Sequence, residues 1–326
     1  MTCLVTGAGG FLGGHLARSL AGVGERVRIL VRPQSRLDHL AGLDLEPVPG
    51  DLADPASLRR AAAGVGHIYH CAAHSSDWGT WEAFRQANVI GVANLLAAAQ
   101  GVPGLARLVH VSTTDVYGYP RRACTEDTPP RDRGLPYNRT KLQGEALVLA
   151  AGRAGLPVTV LRPANLYGPG SKDFVLEITR LLRRGEMVLP GGGHTRAGLL
   201  YVADAVAGLI AAAHSPRTLG EVYNLSGTDD LTWVDYVTAL AQALDLPPPR
   251  LAPPCALALG AGYLAESLYR ALRLRRRPLL TRHAVYLLCR DQGYPAARAQ
   301  AHFGFAPTTS LAEGIARSAA WVAELP

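Results

Sequence analysis

Short apolar runs along the chain alternate with longer segments in which apolar residues recur every three or four positions. The continuous runs are typical of buried strands, and the recurring pattern is typical of helices that pack one face against a core. The runs lie at residues 2–6, 27–31, 45–48, 68–70, 108–111 and 158–161, and helical patterns lie at 11–23, 55–63 and 81–99. This alternation predicts an α/β protein with a doubly wound parallel sheet.

Glycines interrupt the junction between the first strand and the first helix. Their spacing permits a tight turn, a close approach of the backbone to a pyrophosphate, and close packing of the helix on the strand. The helix N-terminus would add N–H groups and a positive dipole end for the phosphates. The turn therefore predicts a dinucleotide site. The expected contacts are Gly7, Gly9, Gly10, Phe11, Leu12 and Gly13.

Arg32 follows the second predicted strand, which is where a dinucleotide fold faces the adenosine ribose. An acidic residue at this place accepts from a 2′-hydroxyl, whereas an arginine favours a 2′-phosphate. With Ser35 or Arg36 as a helper, Arg32 predicts NADP as the cofactor. The alternative is that Arg32 stacks on adenine, which leaves NAD open.

Tyr137 and Lys141 are four residues apart in what reads as the first turn of a helix, so they share one face. The pKa of a phenol is about 10, and a cation beside it would lower that pKa toward neutral pH. The pair could therefore pass a proton. Only Lys141 and Lys172 among the 33 basic residues are lysine, and an arginine cannot replace such a compact, tunable charge. The alternative is a solvated lysine beside a half-buried tyrosine.

Composition limits the class of protein. At 326 residues, with 48% hydrophobic and 18% charged residues, the chain is globular. The net charge of +7 comes from arginines that are scattered, apart from Arg270, Arg273, Arg275, Arg276 and Arg277, so we expect no nucleic-acid partner.

Five cysteines, an odd number without close pairs, favour neither a disulfide framework nor a zinc site. Together with the absence of a secretory leader, they indicate a reducing compartment and a cytoplasmic protein. The histidines show no ligand spacing such as His-x-x-x-His, so we expect no metal.

Seven motifs in order along the chain resemble the extended short-chain dehydrogenase/reductase superfamily. They are Thr6-Gly7-x-x-Gly10-x-x-Gly13, Gly50-Asp51-Leu52, His70-Cys71-Ala72-Ala73, Asn88 in Ala87-Asn88-Val89-x-Gly91, Ser112-Thr113-Thr114-Asp115-Val116-Tyr117-Gly118, Tyr137-x-x-x-Lys141 and Arg162-Pro163-x-Asn165-x-Tyr167-Gly168. The resemblance implies a Rossmann-type doubly wound parallel sheet at 1–170, with 199–226 returning to it. It leaves 171–198 and 227–326 as a smaller, mostly helical substrate-binding region.

The resemblance also assigns roles. It makes Tyr137 the general acid/base, with Lys141 holding the nicotinamide ribose and Thr113 binding the reacting oxygen. Ser112 is the second candidate for the role of Thr113, and the alternative for Thr113 is a hydroxyl that satisfies a backbone group at the strand end. The remaining cofactor contacts that it implies are Asp51, Leu52, Ala72, Ala73, Asn88, Pro163 and Asn165.

This chain departs from the sequence patterns of two nucleotide-sugar subfamilies, which makes their reactions less favoured. Nucleotide-sugar 4,6-dehydratases carry an Asp-Glu pair where this chain has Thr114-Asp115, and nucleotide-sugar epimerases usually carry an acidic residue where this chain has Arg32. Arg196 would be the candidate cation for a diphosphate. A nucleotide-sugar epimerase or reductase is therefore the alternative function.

The Trp78-Gly79 loop and the tail around Gly304-Phe305-x-Pro307 resemble the branch of 3β-hydroxysteroid dehydrogenases, sterol-4-carboxylate dehydrogenases and 2-alkyl-3-oxoalkanoate reductases. This resemblance implies an alcohol–ketone oxidoreductase with a bulky apolar substrate. The apolar helical stretch within 253–280 is a lid, a peripheral membrane contact, or a core or dimer helix. The family also implies a homodimer.

Overall fold

Seven parallel strands form one sheet, and two short strands form another. A computed structural model describes residues 1–227, 230–274 and 276–325, so Arg275 of the basic cluster lies outside the described residues. The strands are β1 (Thr2–Thr6), β2 (Arg26–Val31), β3 (Leu45–Pro49), β4 (His67–His70), β5 (Arg107–Val111), β6 (Val158–Pro163), β7 (Asn165–Tyr167), β8 (Leu199–Tyr201) and β9 (Val222–Leu225).

The helices lie mainly between these strands and after the last one. They are α1 (Phe11–Gly22), α2 (Pro55–Ala62), α3 (Trp81–Arg85), α4 (Gly91–Gln100), α5 (Pro136–Arg153), α6 (Ile178–Arg184), α7 (Val202–His214), α8 (Trp233–Ala243), α9 (Cys255–Ala271), α10 (Arg282–Cys289), α11 (Ala297–Phe303) and α12 (Leu311–Ala323). A π-helical turn at Gln86–Ile90 joins α3 to α4, and a second one at Lys172–Glu177 leads into α6. No helix within the described residues is long and apolar enough to cross a bilayer.

The strand order in the large sheet is β3–β2–β1–β4–β5–β6–β9, and every pair is parallel. The predicted α/β fold class is therefore confirmed. The order reverses between β1 and β4, and open parallel sheets bind their ligands at such a point, beyond the carboxyl ends of the strands. This topology places the glycine turn, the loop after β4 and the loop after β5 around one crevice.

Helices cover both faces of the sheet because the strands are apolar on both sides. On one face α1 and α7 contribute buried leucines such as Leu16 and Leu209, and on the other α2, α4 and α5 contribute Leu58, Leu95 and Val148. A third hydrophobic cluster joins α6, α8 and α12 to the small sheet of β7 and β8. The C-terminal residues thus have their own core beside the crevice.

Helices α9 and α10 form a hairpin that caps the crevice. The Glu266 carboxylate of α9 accepts from the backbone N–H of Arg282 at 2.7 Å and from its Nε at 2.9 Å. Asp77, in the loop after β4, accepts from Thr281 Oγ1 at 2.6 Å and pairs with Arg277 at 2.9 Å. Polar contacts therefore fix the connection between α9 and α10 to the rim of the crevice.

Cys255 and Cys289 form a disulfide, with Cα atoms 6.0 Å apart. The expectation that the chain would show no disulfide was therefore wrong. The two cysteines are 34 residues apart and stand at the outer ends of α9 and α10. The antiparallel hairpin brings them together, and their spacing in the sequence carries no sign of that.

We expect Cys255→Ser to lower the free energy of unfolding, because the bond closes a loop of 34 residues and restricts the unfolded chain. The expected loss is about 3–4 kcal/mol in urea denaturation under non-reducing conditions. Excess reductant should remove the difference between the variant and the parent chain. Equal stabilities without reductant would show that the two residues are thiols.

Candidate active site

The glycine turn between β1 and α1 forms an open cradle. Gly7 has φ +78°, and a Cβ there would lie 2.7 Å from the Ala72 backbone N. A Cβ on Gly13 would lie 2.3 Å from the Gly7 carbonyl oxygen. Gly9 and Gly10 are exposed, and among the described residues no side chain caps the N-terminus of α1. The cradle therefore fits a dinucleotide pyrophosphate, which would meet the first N–H groups and the positive end of α1.

The loop after β2 lies against this cradle. A Cβ on Gly9 would come within 3.4 Å of the Arg36 carbonyl oxygen. Arg32 is exposed at the start of the loop, and its backbone N–H donates to Ser35 Oγ at 3.1 Å. At the neighbouring strand end, Asp51 accepts from the Ala53 backbone N–H at 2.8 Å. The residues predicted for the adenosine end of a dinucleotide thus follow neighbouring strands β2 and β3.

Tyr137 is the second residue of α5, as the sequence predicted for the first turn of a helix. Pro136 begins the helix, a position at which proline loses no hydrogen bond and already has the helical φ. The buried Asn138 side chain donates to the Asp115 carbonyl oxygen at 2.7 Å and accepts from the Arg133 backbone N–H at 2.7 Å. These bonds hold the first turn of α5 against the turn that follows β5.

The pKa of Tyr137 is raised above its usual value, mainly by burial and then by the charge of Asp115. A hydrogen bond with the Thr113 hydroxyl acts in the opposite direction. The expectation that Lys141 would bring this pKa toward neutral pH was therefore wrong. Thr113 also accepts from the Asp115 backbone N–H at 3.2 Å. Its hydroxyl thus serves both the strand-end turn and the phenol.

Lys141 is buried, and it lies about one helical turn after Tyr137 in α5. Its Nζ donates to the Val111 carbonyl oxygen at 2.7 Å, at the end of β5. Burial lowers the pKa of Lys141 to about 8, although the charge of Glu145 opposes this shift. An ammonium at this place can donate to a further acceptor in the crevice, because it has three N–H groups.

Asn88 lies in the π-helical turn between α3 and α4. Its Oδ1 accepts from the His74 backbone N–H at 2.8 Å, and its Nδ2 donates to Thr140 Oγ1 at 3.1 Å. Residue 88, predicted as a cofactor contact, therefore fixes the loop after β4 to α5. Such turns are frequent at functional sites.

The buried Ser112 side chain belongs to a polar network. Its hydroxyl donates to Glu145 Oε2 at 2.5 Å, and Glu145 also binds the guanidinium of Arg162. Arg162 donates to Tyr117 Oη at 2.8 Å, and that hydroxyl donates to Asn224 Oδ1 at 2.7 Å. The geometry thus favours Thr113 over Ser112 beside the phenol.

The other predicted cofactor residues line the strand ends. Ala72 follows β4, and its N–H donates to Thr6 Oγ1 at 3.3 Å, with Ala73 next in the loop. Leu52 accepts from Asn94 Nδ2 at 2.8 Å through its carbonyl oxygen. Pro163 ends β6, and Asn165 follows shortly after it. The side-chain amide of Asn165 donates to the Ala197 carbonyl oxygen at 2.6 Å.

His283, at the start of α10, is a site residue that the sequence did not reveal. Its Nε2 lies 3.0 Å from Asp115 Oδ2, and its ring centroid lies 6.1 Å from that of Tyr137. Asp115 also accepts from Tyr119 Oη at 2.9 Å. More than 160 residues separate the two members of this pair, and no motif links them. Only the folding of the cap over the crevice brings them together.

Comparisons with known proteins agree with this arrangement. A sequence profile of the NAD-dependent epimerase/dehydratase family matches residues 3–226, which include the glycine turn, Thr113, Tyr137 and Lys141. The chain belongs to this family. The superfamily resemblance found in the motifs is thereby confirmed, and the chain is an enzyme of the NAD-dependent oxidoreductase type.

The similarity to individual relatives continues beyond residues 3–226, which the family profile matches. The 2-alkyl-3-oxoalkanoate reductase of Stenotrophomonas maltophilia (strain K279a) is 34% identical and covers 97% of this chain and 98% of its own. Sterol demethylase protein B of Methylococcus capsulatus is also 34% identical and covers 99% of each chain. A solved structure of MoeE5 in complex with UDP-glucose and NAD is 27% identical, covers 99% of each chain and superposes with a TM-score of 0.77. The fold therefore extends over nearly the whole chain.

The geometry defines what the chain's own residues can do. The bound dinucleotide supplies a hydride acceptor or donor. The cradle and Lys141 would hold it, Thr113 would donate to the oxygen that reacts, and Tyr137 would give or take the proton at that oxygen. The cap of α9 and α10 would keep water from the reacting groups.

Proposed function

We propose that the protein interconverts a secondary alcohol and a ketone on a bulky apolar substrate, with NADP as the preferred cofactor and Tyr137 as the general acid/base. A long-chain 2-alkyl-3-oxo acid is the first substrate to test, and a sterol-like molecule is the second. The observation that carries the proposal is an aromatic wall on the cap side of the phenol. The ring of His283 faces Tyr137, and Tyr119 stacks on Tyr286 with centroids 5.4 Å apart.

The alternative, a nucleotide-sugar enzyme, requires cations for a diphosphate. Arg196 is the candidate, and its Nε and Nη2 donate to the two carboxylate oxygens of Asp291 at 2.7 Å and 2.6 Å. Its Nη1 donates to Asp230 at 3.1 Å. Two carboxylates already neutralise this guanidinium, so a diphosphate would have to displace them. The likeness to MoeE5 keeps nucleotide sugars as the second candidate.

A substrate panel separates the two functions. The purified enzyme is incubated with NADP⁺ and a long-chain 2-alkyl-3-hydroxy acid, its short-chain homologue, a 3β-hydroxysterol or UDP-glucose, and NADPH formation is followed by absorbance. The UDP-glucose reaction, repeated with NAD⁺, is also analysed by chromatography for an epimerised sugar, because epimerisation returns the hydride and leaves no net reduced cofactor. We expect kcat/KM to rise with chain length, by up to about fourfold for each buried methylene, because each contributes about 0.8 kcal/mol. Turnover of the nucleotide sugar alone would overturn the proposal.

Arg32 is expected to select the cofactor. Arg32→Glu should raise the Kd of NADPH by about 10–100-fold, which corresponds to one lost charge-assisted hydrogen bond to phosphate, and change the Kd of NADH little. Fluorescence titration measures both constants. Arg59→Glu, which makes the same charge change at an exposed position of α2, is the matched control. A parent enzyme that binds NADH more tightly than NADPH would contradict this assignment.

A second part of the proposal concerns the outer face of α9, which would contact an anionic bilayer surface. Leu257, Leu264 and Leu268 share this face and are 65%, 70% and 56% exposed. Exposed arginines follow at its C-terminal end, namely Arg270, Arg273 and Arg276. Leucines beside a basic cluster suit acyl chains beside anionic headgroups.

Co-sedimentation with phosphatidylglycerol vesicles tests this contact. We expect the enzyme to pellet with these vesicles, less so with phosphatidylcholine vesicles, and less again after Leu264→Glu. Equal recovery in the supernatant with and without phosphatidylglycerol would exclude the membrane contact. Size-exclusion chromatography measures the oligomeric state of the same two proteins. A parent dimer that becomes a monomer in Leu264→Glu would assign this face to a second copy of the chain instead of a bilayer.

A further inference from the structure

Asp115 is a buried carboxylate with one cationic partner among the described residues. Its side chain is 7% exposed, and the ion pairs formed within 1–227, 230–274 and 276–325 give it only His283. A buried carboxylate needs a partner, because burial disfavours its charge. His283 is therefore the group that balances Asp115.

The backbone is strained at Tyr119, a residue that contacts both Asp115 and His283. Tyr119 has φ +55°, a conformation that residues other than glycine seldom adopt. Its buried ring lies 5.6 Å from that of His283, and its hydroxyl donates to Asp115. The fold thus maintains an unfavourable backbone conformation at the residue that holds the carboxylate toward His283.

Asp115 acts on the groups at both of its sides. Burial alone would lower the pKa of His283, but the charge and hydrogen bond of Asp115 raise it overall. The same charge raises the pKa of Tyr137, after burial. A protonated His283 cancels part of the charge that the phenolate of Tyr137 would face, and a neutral His283 does not.

We propose that His283 is a positioning residue which, through Asp115, sets the pH range in which Tyr137 can accept a proton. The proposal rests on the proposed role of Tyr137 and not on the choice of substrate. Other charged or titratable groups also face the pair from the elements packed around it. They are Tyr119, Tyr294, Asp77, Asp173 and Arg277.

The first test measures the pair without turnover. Histidine-labelled enzyme is titrated by NMR, and the His283 signal is assigned by its loss in His283→Gln. We expect the signal in the parent chain to titrate about one pH unit or more above its position in Asp115→Asn. Identical titrations in the two proteins would overturn the proposal, whether or not any tested substrate is turned over.

The second test follows alcohol oxidation against pH with whichever substrate the enzyme accepts. His283→Gln should lower kcat/KM by about tenfold below the pH at which His283 titrates and approach the parent value above it. Asp115→Asn should move the rise in rate by about one unit to lower pH. Tyr263→Phe, an uncharged change at an exposed position of α9, should leave the shape of the profile unaltered. A loss in His283→Gln that is equal at every pH would indicate a structural role alone.

Discussion

Tyr137→Phe is expected to lower kcat by about 10²–10⁴-fold, the usual contribution of a positioned acid or base. The phenylalanine ring keeps the packing against His283, whereas the hydroxyl that meets Thr113 is lost. The Kd of the cofactor should change by less than about threefold, since the cradle and Lys141 are untouched. Steady-state kinetics and fluorescence titration measure the two quantities.

Tyr263→Phe supplies the matched control, because this tyrosine is 57% exposed on α9 and lies outside the crevice. Its kcat should equal that of the parent enzyme. Residual activity of Tyr137→Phe above about a tenth of the parent would contradict the assignment of the proton to Tyr137.

Arg162→Met is expected to cause the largest loss of stability. Arg162 and Glu145 are both 3% exposed, and the arginine donates to Glu145 and Tyr117. Burial by itself would lower the pKa of Arg162, but its bonds and charge interaction with Glu145 raise it. Removal of the cation leaves the Glu145 carboxylate buried and unpaired, which costs about 3–5 kcal/mol of the free energy of unfolding. Urea denaturation measures the loss.

The double variant Arg162→Met with Glu145→Leu tests the cause. It should recover much of the lost stability, because replacement of a whole buried ion pair by apolar side chains is often neutral. Arg180→Met, which breaks the exposed pair with Glu177, should cost less than about 1 kcal/mol. If Arg162→Met also lost less than about 1 kcal/mol of the free energy of unfolding, Glu145 would have found another partner in that variant.

The sequence predicted the parts of the fold that repeat along the chain. Apolar runs and helical periods indicated the parallel sheet, since strands buried on both faces must be apolar throughout. The glycine turn could be recognised in the sequence because only glycine fits where a Cβ would meet the Ala72 backbone. Tyr137 and Lys141 could be recognised because helical spacing places them on one face.

The remaining features depend on contacts between distant residues. The Cys255–Cys289 disulfide arises from a helical hairpin, and the Asp115–His283 pair arises from the seating of that hairpin on the crevice. The raised pKa of Tyr137 depends on burial, which a spacing of four residues does not reveal. Each of these features requires the tertiary structure, because the local sequence contains only one of the partners.

The π-helical turn at Gln86–Ile90 limits how this chain can change in length. Before the turn, Phe84 packs on His74 with ring centroids 4.4 Å apart, and after it Leu95 packs into the core under the sheet. The turn holds one residue more than an α-helical turn, which allows the two ends of the helix to face different neighbours. Deletion of a single residue here would rotate Asn88 by about 100° away from the His74 backbone. Relatives should therefore vary in the side chains of this turn more readily than in its length.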